Sequence, residues 1–137
     1  MRRSLATTVL LAPVTVCLAV ALGCSDTGPK LPPTVPISAQ VTLDGKPLSK
    51  ALIAFSPVNP GPSSNGRIEN GEVLDLWTNG QKAGVVTGEH KVTIYDDDNE
   101  TGSVDLVPNH YGRLDKGFEV SISKDGPNEF VFDLKRK

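Results

Sequence analysis

The chain has 137 residues, with 14 Lys and Arg against 16 Asp and Glu, a formal net charge of −2 and only two cysteines. That balance argues against nucleic acid as a partner, which wants a basic face. The two cysteines and two histidines are too few and too scattered for a zinc cluster. Thirteen Gly and eleven Pro predict many turns, and no long stretch carries a helical period.

The chain opens MRRSLATTVLLAPVTVCLAVALGC. Arg2 and Arg3 precede an uncharged, mostly apolar run from Leu5 to Leu22, which is the layout of a secretory signal peptide. A transmembrane helix is the rival reading, but Pro13 interrupts the run and no basic residues follow it directly. Removing residues 1–23, with their two Arg and no acid, takes the net charge from −2 to −4. Residues 24–36 then read as a linker, because Pro29, Pro32, Pro33 and Pro36 favour extended polyproline geometry.

From residue 37 the pattern becomes that of strands. Ile37, Ala39, Val41 and Leu43 alternate with Ser38, Gln40 and Thr42, which predicts a half-buried strand. Asp44 to Pro47 reads as a turn. LSKALIAFSPV follows as a second strand with Ala51, Ile53 and Phe55 inward, and the two are expected to form a hairpin. Residues 59–71 read as loop with a short strand near Ile68. EVLDLWT is a strand of ambiguous facing, since Leu74 and Leu76 compete with Val73 and Trp77. EHKVTIYD places Val92 and Ile94 inward, with His90 on the same side. After an irregular stretch, FEVSIS turns Phe118, Val120 and Ile122 inward. KDGPN is a turn, and EFVFDL closes a final hairpin with Phe130, Phe132 and Leu134 inward. Six or seven short strands with turns between them predict a single all-β domain over residues 37–137, an antiparallel β-sandwich.

Two resemblances rest on these residues. Ala21-Leu22-Gly23-Cys24 resembles the lipobox of bacterial lipoproteins, which implies a lipid on Cys24, cleavage before it and a membrane as partner. Two or three acyl chains hold a protein firmly where one holds marginally. Cys17 would leave with the signal peptide, so no disulfide is expected. The order VTLDGKPLSKALIAF, ENGEVLDLWT, GVVTGEHKVTI, VPNHY and VSISKDGPNEFVFDL is similar to small bacterial lipoproteins with carboxypeptidase regulatory-like or transthyretin-like domains. Gly88, Glu89 and His90 before Val92-Thr93-Ile94, and the closing Gly126, Asn128, Phe130, Phe132 and Leu134, carry that likeness. It implies a prealbumin-like, Ig-like sandwich of about seven strands and no particular activity.

Chemistry is sparse. His90 and His110 lie far apart in sequence, and no metal site is expected from them. Asp96 to Glu100 is the densest charge run. A Ca²⁺ ion wants six to eight oxygens, and Asp96, Asp98 and Glu100 would supply three only if the segment curls, so a solvated loop is expected instead. No nucleophile elbow is present, Ser63-Ser64-Asn65-Gly66 reads as loop, and the terminal Asp133-Leu134-Lys135-Arg136-Lys137 lacks the Tyr-Arg-Gly-Ser ending of the transthyretin-like hydroxyisourate hydrolases. No catalytic residue and no cofactor are therefore expected. Exposed aromatics stack on sugars, and Trp77, Tyr95 and Tyr111 are the candidates for ligand contact. The expectation is an envelope lipoprotein with a structural, adhesion or binding sandwich, whose partner is an envelope polysaccharide or protein. The alternative is a carbohydrate or small-solute binding lipoprotein.

Overall fold

The computed structural model describes residues 23, 30–98 and 105–137. The signal peptide, Cys24, most of the linker and the end of the acidic run at Asn99 and Glu100 lie outside the described residues.

The described chain is all-β, with two 3₁₀ turns at Asn109–Gly112 and Leu114–Lys116. Its strands are β1 (Thr34–Val35), β2 (Ser38–Leu43), β3 (Lys46–Pro47), β4 (Lys50–Pro57), β5 (Ser64–Glu69) and β6 (Glu72–Thr78). They continue as β7 (Lys82–Ala83), β8 (Val85–Val86), β9 (Gly88–Tyr95), β10 (Phe118–Ile122) and β11 (Glu129–Leu134). Seven of them form one path in the order β10-β9-β4-β5-β6-β2-β11, with β3 and β7 attached at β2 and β6. The path curls into a half-barrel of β-sandwich type. Its two edge strands meet across the core, where the Phe118 and Phe132 rings are 5.1 Å apart.

Period-two alternation decides which side chains go inside. Ala39, Val41 and Leu43 of β2 are buried, as are Ala51, Ile53 and Phe55 of β4, Val92 and Ile94 of β9, Ile122 of β10 and Phe132 and Leu134 of β11. Phe118, Val120 and Phe130 pack against this cluster half-buried.

The ambiguous strand has a local cause. Between its Arg67–Leu74 and Asn65–Trp77 pairs, β6 holds two residues against one in β5, which is a β-bulge. Asp75 sits there with φ of 50°. A bulge restarts the alternation, so the inward residues are Val73 on one side of it and Leu76 on the other. Neither expected pair, Leu74 with Leu76 or Val73 with Trp77, describes the strand. Gly66, the residue opposite the bulge, has no room for a side chain, because an added Cβ would lie 3.0 Å from the Leu76 side chain and 2.9 Å from the Leu74 carbonyl.

Three strand pairings differ from expectation. The Asp44-Gly45 turn returns only as far as β3, and β4 pairs with β5 and β9 rather than with β2. The segment expected to be loop with a short strand near Ile68 contains β5, a full central strand joined to β6 across Asn70-Gly71. The closing pair is no hairpin. β10 pairs with β9, whereas β11 crosses to the opposite edge and pairs with β2 in parallel. The crossing is closed by a side chain. The Asn128 amide accepts from the Ser123 N–H at 2.8 Å and donates to the Ser123 carbonyl at 2.8 Å. It thereby supplies the partners that a neighbouring strand would have provided.

The last residues of the expected linker also belong to the fold. Thr34 and Val35 pair with Val86 and Val85, and the Thr34 hydroxyl donates to the Ala83 carbonyl at 2.7 Å. Gly84 makes this clamp feasible. Its φ is 95°, and a Cβ would lie 2.6 Å from the Val35 carbonyl oxygen.

Candidate functional site

The strand directions divide the molecule into two ends. β2, β5, β9 and β11 start at one, and β4, β6 and β10 start at the other. The chain enters through β1 at the first, here the near end. The Asp44-Gly45 turn, residues 96–98 and 105–117 and the C-terminus lie at the second, the far end.

The far end holds a cleft of about 320 Å³. Tyr95, at the end of β9, forms one wall, and Asp96, Asp98, Asp105 and Asn109 supply polar groups. Asp96 explains how the cleft is held. Its carboxylate accepts the Leu106 N–H at 2.8 Å and the Val107 N–H at 3.1 Å. Backbone donors on a carboxylate make strong, charge-assisted bonds, and these tie the returning chain to the end of β9. The first acid of the run is thus committed to backbone and not held out to an ion. Among the described residues no three His, Cys, Asp or Glu side chains are grouped to hold a metal.

The three aromatic candidates do not converge. Trp77 is 45% exposed on the outward face of β6, towards the near end. Tyr95 is 37% exposed and lies three strands away across β4 and β5, a lateral offset of about 14 Å at the usual strand spacing of about 4.8 Å, and it is level with Leu74 rather than with Trp77. Tyr111 has a different task. Its ring stacks on Phe118 at 5.6 Å, and its hydroxyl accepts the Lys135 N–H at 2.8 Å, which closes the end of β11. No local pattern signals that contact, because 24 residues separate the partners.

The histidines are likewise apart. His90, at the near end, is 1% exposed. Its Nδ1 donates to the Gly88 carbonyl at 3.0 Å, its ring packs edge-on to Phe55, and its Nε2 is buried without a hydrogen-bond partner. His110 is exposed at the far end, 4.0 Å from the Tyr111 ring.

A buried polar chain escaped the sequence reading. Ser64 and Thr78 are both fully buried, with hydroxyls 2.7 Å apart. The Thr78 hydroxyl donates to the Gly84 carbonyl at 2.8 Å, so the Ser64 hydroxyl donates to Thr78. The serine is spent on joining β5, β6 and the clamp, and not on a base. The alternation of β6 past Asp75 places Thr78 inward, and knowledge of the bulge would have found it.

On the outward face the charges pair with one another. Arg67 bridges Asp75 at 2.6 Å and also pairs with Glu69, and Lys91 pairs with Glu119. Hydrogen bonding to Lys91 and its positive charge hold the Glu119 carboxyl below the usual range. Neither a protein-family profile, a curated protein nor a solved structure matches the chain.

Proposed function

We propose that the chain is an exported, lipid-anchored β-sandwich of the bacterial cell envelope, non-catalytic, which presents its far end to an envelope protein or polysaccharide. The observation that supports this is the polarity of the fold. The chain enters at the near end through β1, and the loops around the Tyr95 cleft lie at the opposite end. An anchor on Cys24 would leave residues 24–33 as tether, about 31 Å at about 3.1 Å per extended residue. That length lifts the domain clear of lipid headgroups and leaves the far end outermost. The lipobox-like Ala21-Leu22-Gly23-Cys24 and the likeness to small bacterial lipoproteins with transthyretin-like domains support the same reading.

Cys24→Ala tests it. The variant is expected to leave the membrane fraction or to accumulate as uncleaved precursor, and mass spectrometry is expected to find acyl mass on Cys24 of the wild-type protein. Unchanged fractionation together with an unmodified Cys24 would reject the proposal.

A further inference from the structure

The edge of β11 has a pattern that neither the anchor nor the Tyr95 cleft uses. In an extended strand the N–H and C=O of one residue point to the same side, and successive residues alternate. The Asn128 carbonyl accepts from Ser38 N and the Leu134 carbonyl from Asp44 N, each at 2.9 Å. Even-numbered residues of β11 therefore face β2, and Glu129, Val131 and Asp133 turn their backbone groups to the open edge. The next odd residue is closed off, since Lys135 N–H donates to the Tyr111 hydroxyl. The open stretch is thus three residues with a defined stop.

Its side chains are as patterned as its backbone. Val131 is 73% exposed, the highest value for a large apolar residue among those described. Exposed Glu129 and Asp133 stand two positions to either side of it on the same face. Protein edges are usually blunted by charge or covered. Here the charges are both acidic, and this bears on who can pair. A second copy laid antiparallel about Val131 would set Glu129 against Asp133 of its neighbour, and like charges directly opposite are destabilising.

We propose that the β11 edge docks an extended segment of a partner protein by strand addition, and that this segment carries Lys or Arg two positions to either side of an apolar residue. Main-chain bonds would supply the affinity and the alternating side chains the selectivity. The exposed Asp133–Lys135 pair at 3.1 Å is no obstacle, because surface pairs of this kind contribute little. The proposal goes beyond the anchoring reading and does not depend on Cys24.

The test uses the full chain in detergent and two synthetic eleven-residue peptides of alternating threonine and valine. In one, lysines stand two positions to either side of the central valine, and in the other glutamates replace them. The lysine peptide is expected to bind at least about tenfold more tightly, with affinity that falls as salt rises. The amides of Glu129, Val131 and Asp133 are expected to show the largest NMR shifts. The double variant Glu129→Lys/Asp133→Lys, altered only at exposed positions, is expected to reverse the preference. Val131→Pro, which removes an edge N–H and none of those facing β2, is expected to abolish binding of either peptide. Equal binding of both peptides, no binding, shifts confined to another surface, or a dimer cross-linked through Val131→Cys would each overturn the proposal.

Discussion

The two ends of the sandwich are held by different physics. The near end is dry. Its clamp joins Thr34–Val35 to Val85–Val86 over a glycine with no room for a side chain, and beneath it lies the buried chain from Ser64 through Thr78 to the Gly84 carbonyl. The far end is wet. There one half-buried carboxylate, Asp96, gathers the returning backbone, and exposed pairs such as Arg113 with Asp115 decorate the turns. A polar group in a dry setting costs its full desolvation when its partner is lost, whereas one in a wet setting falls back on water. Equivalent lesions should therefore weigh more at the near end.

The largest effect is expected from Phe55→Ala. Phe55 is fully buried and touches both His90 and Phe132 edge-on, so truncation is expected to cost about 3 to 5 kcal/mol by urea unfolding. A loss under about 1 kcal/mol would mean that the near-end core collapses around the gap, and the contrast would fail.

Thr78→Val comes next. The swap keeps the shape but strands the Ser64 hydroxyl and the Gly84 carbonyl in the interior, for an expected cost of about 1 to 3 kcal/mol. Amide exchange of Val85 and Val86 should rise with it, and unchanged exchange there would show that the clamp does not lean on this chain.

At the far end, Asp96→Ala is expected to cost about 1 kcal/mol, since the bonds its carboxylate accepts from the Leu106 and Val107 N–H groups are only part-buried and water can replace them. Faster exchange of those two amides with the β9 amides unaffected is the expected reading. Global unfolding at a cost above about 3 kcal/mol would place the far end among the dry parts of the molecule.

The smallest effect concerns acid. Glu119 is held below its usual range by Lys91, Asp115 by Arg113, and Asp133 by Thr42 and then Lys135. A lowered folded value means stability that is present above the unfolded value and lost as pH falls through the folded one. The loss belongs below about pH 4, the range of free carboxylates, and is expected to be slight because all three are exposed. A steep loss of stability above pH 5 would point to some other group.

How far the sequence reached is clearest on β2 and β11. Val41 and Phe132 are buried and Val131 is exposed, as alternation requires, because facing is a local property with a period of two residues. The same alternation failed on β6, where Asp75 in a left-handed conformation shifts the phase, and nothing in the alternation announces a bulge. β5 runs longer than the short strand expected near Ile68, and its pairing through Asn70-Gly71, a strong hairpin signal, is hidden because the glycine- and proline-rich residues before it read as loop.

Composition and periodicity by themselves determined that this chain is all-β, that one face of each regular strand is apolar, and that the N-terminus resembles an export leader. Only the tertiary structure decided which strands are neighbours. It sent β11 to the far side of the sheet from β10, bonded Tyr111 to the edge of β11 and scattered the three candidate aromatics. The physical reason is that facing depends on residues two apart, whereas pairing depends on hydrogen bonds and packing between segments up to about ninety residues apart, as in β2 with β11, and no local pattern carries that information.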